Sequence, residues 1–247
     1  MLVRLNHKVH VLFRRQDLDM VKLEGKIVIV LDVLFATSTM IAALADGAAA
    51  VIPTLNEEHA REHAKRLRDG SYVLAGELFA DQIPGFAPPT PMALMAHDLR
   101  DRTVVYATTN GTVALHESAA AEHVYAGALI NAGALVSHIA RAHAQGTILI
   151  VCSGSMGNPN LEDLYGAGCF VDLILKAMGE RDLSDAAWAA RALYLSEPAQ
   201  SVLLRCRVGK LMQERGLTEE VKFAARESVV DVVPKLIDGR LTSVAVG

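Results

Sequence analysis

Short apolar runs alternate with longer amphipathic stretches over the first 180 residues of the chain. KIVIVLD (26–32) is apolar almost without a break, the pattern of a strand buried on both faces. TSTMIAALADG follows it and predicts a helix capped at Thr37 or Ser38 and stopped at Gly47. AAVIP (49–53) predicts a second strand, ended by Pro53. Asn56 then caps a charged amphipathic helix that runs to Gly70. YVLAG (72–76), TVVYAT (103–108), HVYAG (123–127) and TILIVCSG (147–154) predict further strands. Helices are expected near 111–120, 131–145 and 160–178. This alternation predicts an α/β fold: a three-layer α/β/α sandwich with a largely parallel or mixed sheet.

Beyond about residue 180 helical patterns dominate, in DAAWAARALYL and AQSVLLRCRVGKLMQERG, before a mixed tail. They predict a helical C-terminal extension. No stretch rich in Gly, Pro or Ser separates it, so residues 1–247 are expected to form a single domain, with a subdivision near residue 180 as the alternative.

Composition narrows the function. Asp and Glu number 28 against 24 Lys and Arg, for a net charge of −4, and only 5% of residues are aromatic. Neither a basic surface nor a stacking platform for nucleic acid is expected. No apolar run reaches the ~18 residues of a membrane-spanning helix, and the early charges of MLVRLNHKVHVLFRRQDLD do not resemble a signal peptide. The three cysteines, Cys152, Cys169 and Cys206, share no metal-ligand spacing. A reducing, cytoplasmic location is the expectation. A homodimer is expected on general frequency alone.

In open α/β sheets ligands gather beyond the carboxyl ends of the strands. Four polar loops occupy that position. Asp32 ends the first strand, where a carboxylate either ligates a hard cation or caps the next helix. The hydroxyls of Thr37 and Ser38 either bind an anion or cap. Gly76-Glu77 repeats the strand-then-carboxylate pattern and leads into LFADQIPGFAPPTPM, a long loop with four prolines. ATTNGT (107–112) places Thr108, Thr109, Asn110 and Gly111 before a helix, as an anion nest or an Asn-Gly turn. CSGSMGNPNLED (152–163) combines Ser153, small residues and the pair Glu162-Asp163; Asn160 as an N-cap is its structural alternative. Cys152 is either a nucleophile or a small buried hydrophobe. His59 and His63 stand four apart on a charged helix, without an HExxH pattern. No GxSxG elbow and no GxGxxG loop is present.

At these loops, VIVLDVLFATSTMIAALADGAAAVIP, LAGE, IPGF, ATTNGTVAL, AGALINAGA, IVCSGSMGNPNLEDLYGAG and DVVPKLIDGRL resemble the 2-phosphosulfolactate phosphatase family, in order and over nearly the whole chain. The resemblance implies an α/β/α fold and Mg²⁺-dependent removal of phosphate from a small anionic substrate, 2-phosphosulfolactate by default. It makes Asp32, Glu77, Asp163 and Glu162 candidate metal ligands. Asp32 and Cys152 become candidate catalytic groups. Thr37, Ser38, Thr108, Thr109, Asn110, Gly111 and Ser153 become candidate phosphate contacts. Three departures stand out. Phe35 and Leu78 occupy positions where the family typically carries arginine, and GFAPPTP lacks its Asn-Ser pair. Either an arginine elsewhere, such as Arg205 or Arg207, replaces them, or the substrate is another small ester or a phosphonate, or the chain binds a small anion without catalysis.

Overall fold

The computed structural model describes residues 8–18 and 23–245. The strands are β1 (Lys8–Leu12), β2 (Lys26–Leu31), β3 (Ala50–Thr54), β4 (Tyr72–Leu78), β5 (Asp81–Gln82), β6 (Thr103–Ala107), β7 (His123–Gly127), β8 (Thr147–Cys152), β9 (Asp182–Leu183), β10 (Val233–Ile237) and β11 (Arg240–Val244). The helices are α1 (Ala36–Ala45), α2 (Glu57–Ala64), α3 (Pro91–Met95), α4 (Gly111–Glu117), α5 (Ala132–Ala142), α6 (Leu161–Met178), α7 (Asp185–Ser196), α8 (Ala199–Arg205), α9 (Arg207–Glu214) and α10 (Thr218–Ala224). Among the described residues no helix is long and apolar enough to cross a membrane.

The strands form one mixed sheet in the order β5-β4-β6-β3-β11-β10-β7-β2-β8-β1-β9. Two parallel units lie in it. β4, β6 and β3 form one. β7, β2, β8, β1 and β9 form the other. The hairpin β10–β11 joins them by antiparallel pairing on both sides, Leu241 opposite Val51 and Lys235 opposite Tyr125. Three successive reversals mean that the two units run in opposite directions along the sheet. At a typical twist of roughly 20–25° per strand pair, the steps from β3 to β2 accumulate close to a right angle. Twist of that size lets the carboxyl ends of β2, β4 and β6 meet over one site.

α1 lies inside the curl. Every residue from Ala36 to Leu44 is buried, so the helix is enclosed on all sides, and the hydroxyls of Thr37, Ser38 and Thr39 each donate to a backbone carbonyl. Met40 and Ile41 share one core with Val28 and Val30 of β2 and with Val51, Val104 and Tyr106 of the other unit. α5, α6, α7 and α8 cover the opposite face of β2 and β8, against Ile29, Leu31 and Ile150. α2 covers the outer face of β3 and β6 through Ala60.

Differences from the sequence expectation have local causes. Pro53 lies within β3 and does not end it. Its missing N–H faces no ladder demand it could not meet, since β11 touches β3 in register only at Val51. Asn56 caps α2 as expected, its Oδ1 accepting from the His59 N–H at 2.8 Å, but the helix ends at Ala64, before Gly70. Thr37 and Ser38 do not cap α1; their hydroxyls donate back to the carbonyls of Asp32 and Val33. The helical extension spans α7 to α10, but the residues after it return to the middle of the sheet as β10 and β11.

Candidate active site

A cavity of about 520 Å³ opens where the strand ends converge. All four predicted loops reach it. Asp32 and Phe35 come from β2–α1, Glu77 and Phe79 from the end of β4, Thr108 to Asn110 from β6–α4, and Gly154 to Met156 from β8–α6.

Asp32 forms the floor. Only 9% of its surface is exposed, and its Oδ1 accepts from the Ala36 N–H at 3.3 Å. Burial pushes its carboxyl up to about 7, aided by the charges of Glu77 and Glu162 and opposed by the Ala36 amide. Gly111 packs directly on it. A Cβ there would stand 2.7 Å from Asp32 Oδ2 and 2.6 Å from the Ala36 Cβ. Only glycine lets β6–α4 close over the carboxylate.

Glu77 ties two loops. Its carboxylate accepts from the Ala80 N–H and, at 2.7 Å, from the Thr109 N–H. The Thr109 hydroxyl in turn accepts from the Phe79 N–H at 3.3 Å. Gly76, at φ +155, would drive a Cβ into the Ala107 carbonyl, so glycine is required for β4 to pass β6 here. The Thr108 hydroxyl lies 3.3 Å from that of Thr112, inside the loop's own turn.

Several candidate residues stand elsewhere. Asp163 is buried below the cavity, where its oxygens accept from the N–H groups of Val33 at 2.9 Å and Gly154 at 3.1 Å. It ties β2–α1 to β8–α6 and does not line the cavity. Burial, Asp32 and Glu162 hold its carboxyl well above the usual range. Glu162 is 1% exposed, its Oε1 has no hydrogen-bond partner, and burial raises its carboxyl too. Neither lines the cavity, although the charge of each reaches Asp32 at its floor. Thr37 and Ser38 are fully buried with their hydroxyls committed to backbone carbonyls, which removes them as phosphate contacts. Ser153 is buried outside the lining with an unpartnered hydroxyl. Cys152 is fully buried, and burial with the charges of Asp163 and Glu162 holds its thiol well above its ordinary value. A thiolate nucleophile is therefore disfavoured at this position. Among the described residues no three His, Cys, Asp or Glu side chains gather as ligands of one ion. His59 and His63 do meet, with their Nε2 atoms 3.0 Å apart, as a pair on α2.

One wall has no counterpart among the strand-end loops. α9 crosses the cavity and turns Val208, Leu211 and Met212 inward. Arg207 at its start donates to the Ser155 hydroxyl and to Asn160 Oδ1, at 3.4 Å for the latter. Arg215, just past its end, donates to the Ala80 carbonyl and pairs with Asp81 at 3.0 Å. α9 thus spans from β8–α6 to β4–β5. Of the two arginines named as replacements, Arg207 lines the cavity, whereas Arg205 pairs with Glu197 at 2.6 Å outside the lining.

Comparisons with known proteins place the chain in one family. The family model described as 2-phosphosulpholactate phosphatase matches residues 13–239. The chain is 30% identical to a probable 2-phosphosulfolactate phosphatase of Clostridium beijerinckii over 237 residues, 95% of this chain and 99% of the relative. It is 33% identical to a protein of the same name from Caldanaerobacter subterraneus subsp. tengcongensis over 222 residues, 88% of this chain and 90% of the relative. A third of that name, from Carboxydothermus hydrogenoformans, is 31% identical over 237 residues, 95% of this chain and 96% of the relative. The chain belongs to the 2-phosphosulfolactate phosphatase family.

Proposed function

We propose that the chain is a phosphatase that hydrolyses the phosphate ester of a small hydroxy acid, with 2-phosphosulfolactate as the reference substrate. The observation that carries this reading is Asp32: a carboxyl at a strand end, facing the cavity, with its pKa pushed up to about 7. A group that titrates near neutrality exchanges protons efficiently at working pH. Family membership supports the phosphoryl-transfer class.

Thr109 and Asn110 border the same space and hold the phosphoryl group for in-line attack. The oxygen of an attacking water forms the new bond to phosphorus, and Asp32 accepts its proton. The ester P–O bond breaks with its electron pair on the alcohol oxygen, which takes a proton from solvent water, and Asp32 returns the proton it accepted to solvent. Arg207 supplies positive charge toward the substrate's acid group. Mg²⁺ fits the donor chemistry in a limited sense, because this ion commonly takes one or two carboxylates and completes its shell from water and phosphate. Glu77 faces the cavity and would hold it, leaving Asp32 free to take the proton; Asp163 stands outside the lining. When bound, the ion would neutralise phosphate charge.

The test is phosphate release from 2-phosphosulfolactate and related phospho-acids, with and without Mg²⁺. Release by the native chain, reduced about 100-fold or more in folded Asp32→Asn, is expected. Equal rates in both proteins would overturn the role of Asp32.

A further inference from the structure

The cavity is larger and less polar than a short, highly charged acid requires. Its volume of about 520 Å³ falls among pockets for ligands of drug size, roughly 300–1,000 Å³. Phe35 stands beside the Asp32 floor, and Val208, Leu211 and Met212 of α9 form the facing wall. At the mouth stand Phe79 and Met156, 69% and 78% exposed, both with positive φ at 52°. Both are exposed apolar side chains that line the cavity and can be covered by an apolar group of a ligand.

Charge is scarce on the same walls. Two arginines line the cavity, and Arg215 is already paired with Asp81 at 3.0 Å. Arg207 donates to a hydroxyl and a carboxamide, and of the neighbouring carboxylates only the buried Glu162 feels its charge. One free guanidinium matches one carboxylate. A second anionic group on the same substrate would sit against apolar walls with no cation left for it, which is costly.

Resting on the phosphatase reading above, we propose that the substrate is the phosphate ester of a 2-hydroxy acid with an aromatic or branched aliphatic side chain. Its phosphate lies over Asp32, Arg207 takes its single carboxylate, and the apolar group lies among Phe35, Phe79, Met156 and the inner face of α9.

Two esters separate the possibilities: 2-O-phospho-3-phenyllactate and 2-phosphosulfolactate. They share the phosphorylated carboxylic acid and differ only in carrying phenyl or sulfonate on the third carbon. The expected result is a kcat/KM at least about tenfold higher for the phenyl ester, one hydrophobic contact set being worth that much. Phe35→Ser is expected to erase most of the difference, and Arg207→Gln to raise KM for both esters. Equal or better turnover of the sulfonate ester would overturn this inference and leave the phosphatase reading intact. Release of phosphate from neither ester would overturn the phosphatase reading. Calorimetric binding then judges the cavity alone: tighter binding of the phenyl ester supports the apolar assignment, and equal, weaker or absent binding overturns it.

Discussion

Asp32 carries opposite demands. Its carboxyl is raised from an ordinary 3.8 to about 7 by burial and neighbouring carboxylates. The unfolded chain releases this proton near 3.8, whereas the folded chain keeps it until about 7. The stability from the protonated form is therefore complete below the unfolded pKa and is lost as pH rises through the folded one. Asp32→Asn removes that titration. In metal-free buffer its melting temperature should match the native chain at pH 4 and exceed it at pH 8, while phosphate release is lost. A mutant no more stable at pH 8 would contradict the raised pKa. Cys152→Ala tests the buried thiol in the opposite sense. It should keep activity within about threefold and cost roughly 1 kcal/mol, near the burial of one methylene-sized group. Gly111→Ala should cut turnover about tenfold or more, since its Cβ collides with Asp32 Oδ2. Asp32, Glu77 and Thr108 to Asn110 were legible in the sequence because each follows an unbroken apolar run. Burial was not: Thr37, Ser38 and Ser153 have the residue types of phosphate contacts, and only packing shows that all three are buried outside the lining, with the hydroxyls of Thr37 and Ser38 bonded to backbone carbonyls.

Among elements, the apolar strands were the clearest. HVYAG matches β7 in both bounds, and KIVIVLD and TILIVCSG start where β2 and β8 start but run one and two residues past their ends. β1, β10 and β11 were not anticipated as strands. KVHVL alternates half-buried and buried positions, and Pro234 within β10 reads as a breaker. α9 was recognisable as a helix but not as a cavity wall. It follows no strand, so the strand-end rule does not point to it. Its partner α10 offers a clean test at this scale. The Glu220 carboxylate accepts from the Thr90 hydroxyl at 2.7 Å and from the N–H groups of Met92 and Ala93 at 2.8 and 2.9 Å. It fixes the start of α3 from a distant part of the chain. Glu220→Ala should lower unfolding free energy by about 2–4 kcal/mol, because the lost acceptor leaves buried donors unpaired. A change under about 0.5 kcal/mol in urea unfolding would show that water replaces the carboxylate.

The whole molecule depends on the β10–β11 hairpin, which holds two oppositely directed parallel units in one sheet. Leu241 is fully buried where β11 meets β3. Leu241→Asp should place an unpaired charge at that seam and lower the unfolding free energy by about 3 kcal/mol or more, read as a fall in the urea midpoint. The order of synthesis gives this arrangement a further consequence. β10 and β11 leave the ribosome after every other strand of the sheet, yet they occupy its centre. Until then the growing chain carries β3 and β7 with one edge each unsatisfied, an invitation to pair with other polypeptides. Chaperone binding during translation should therefore be strongest just before residue 233 emerges, and fall away once the hairpin is released.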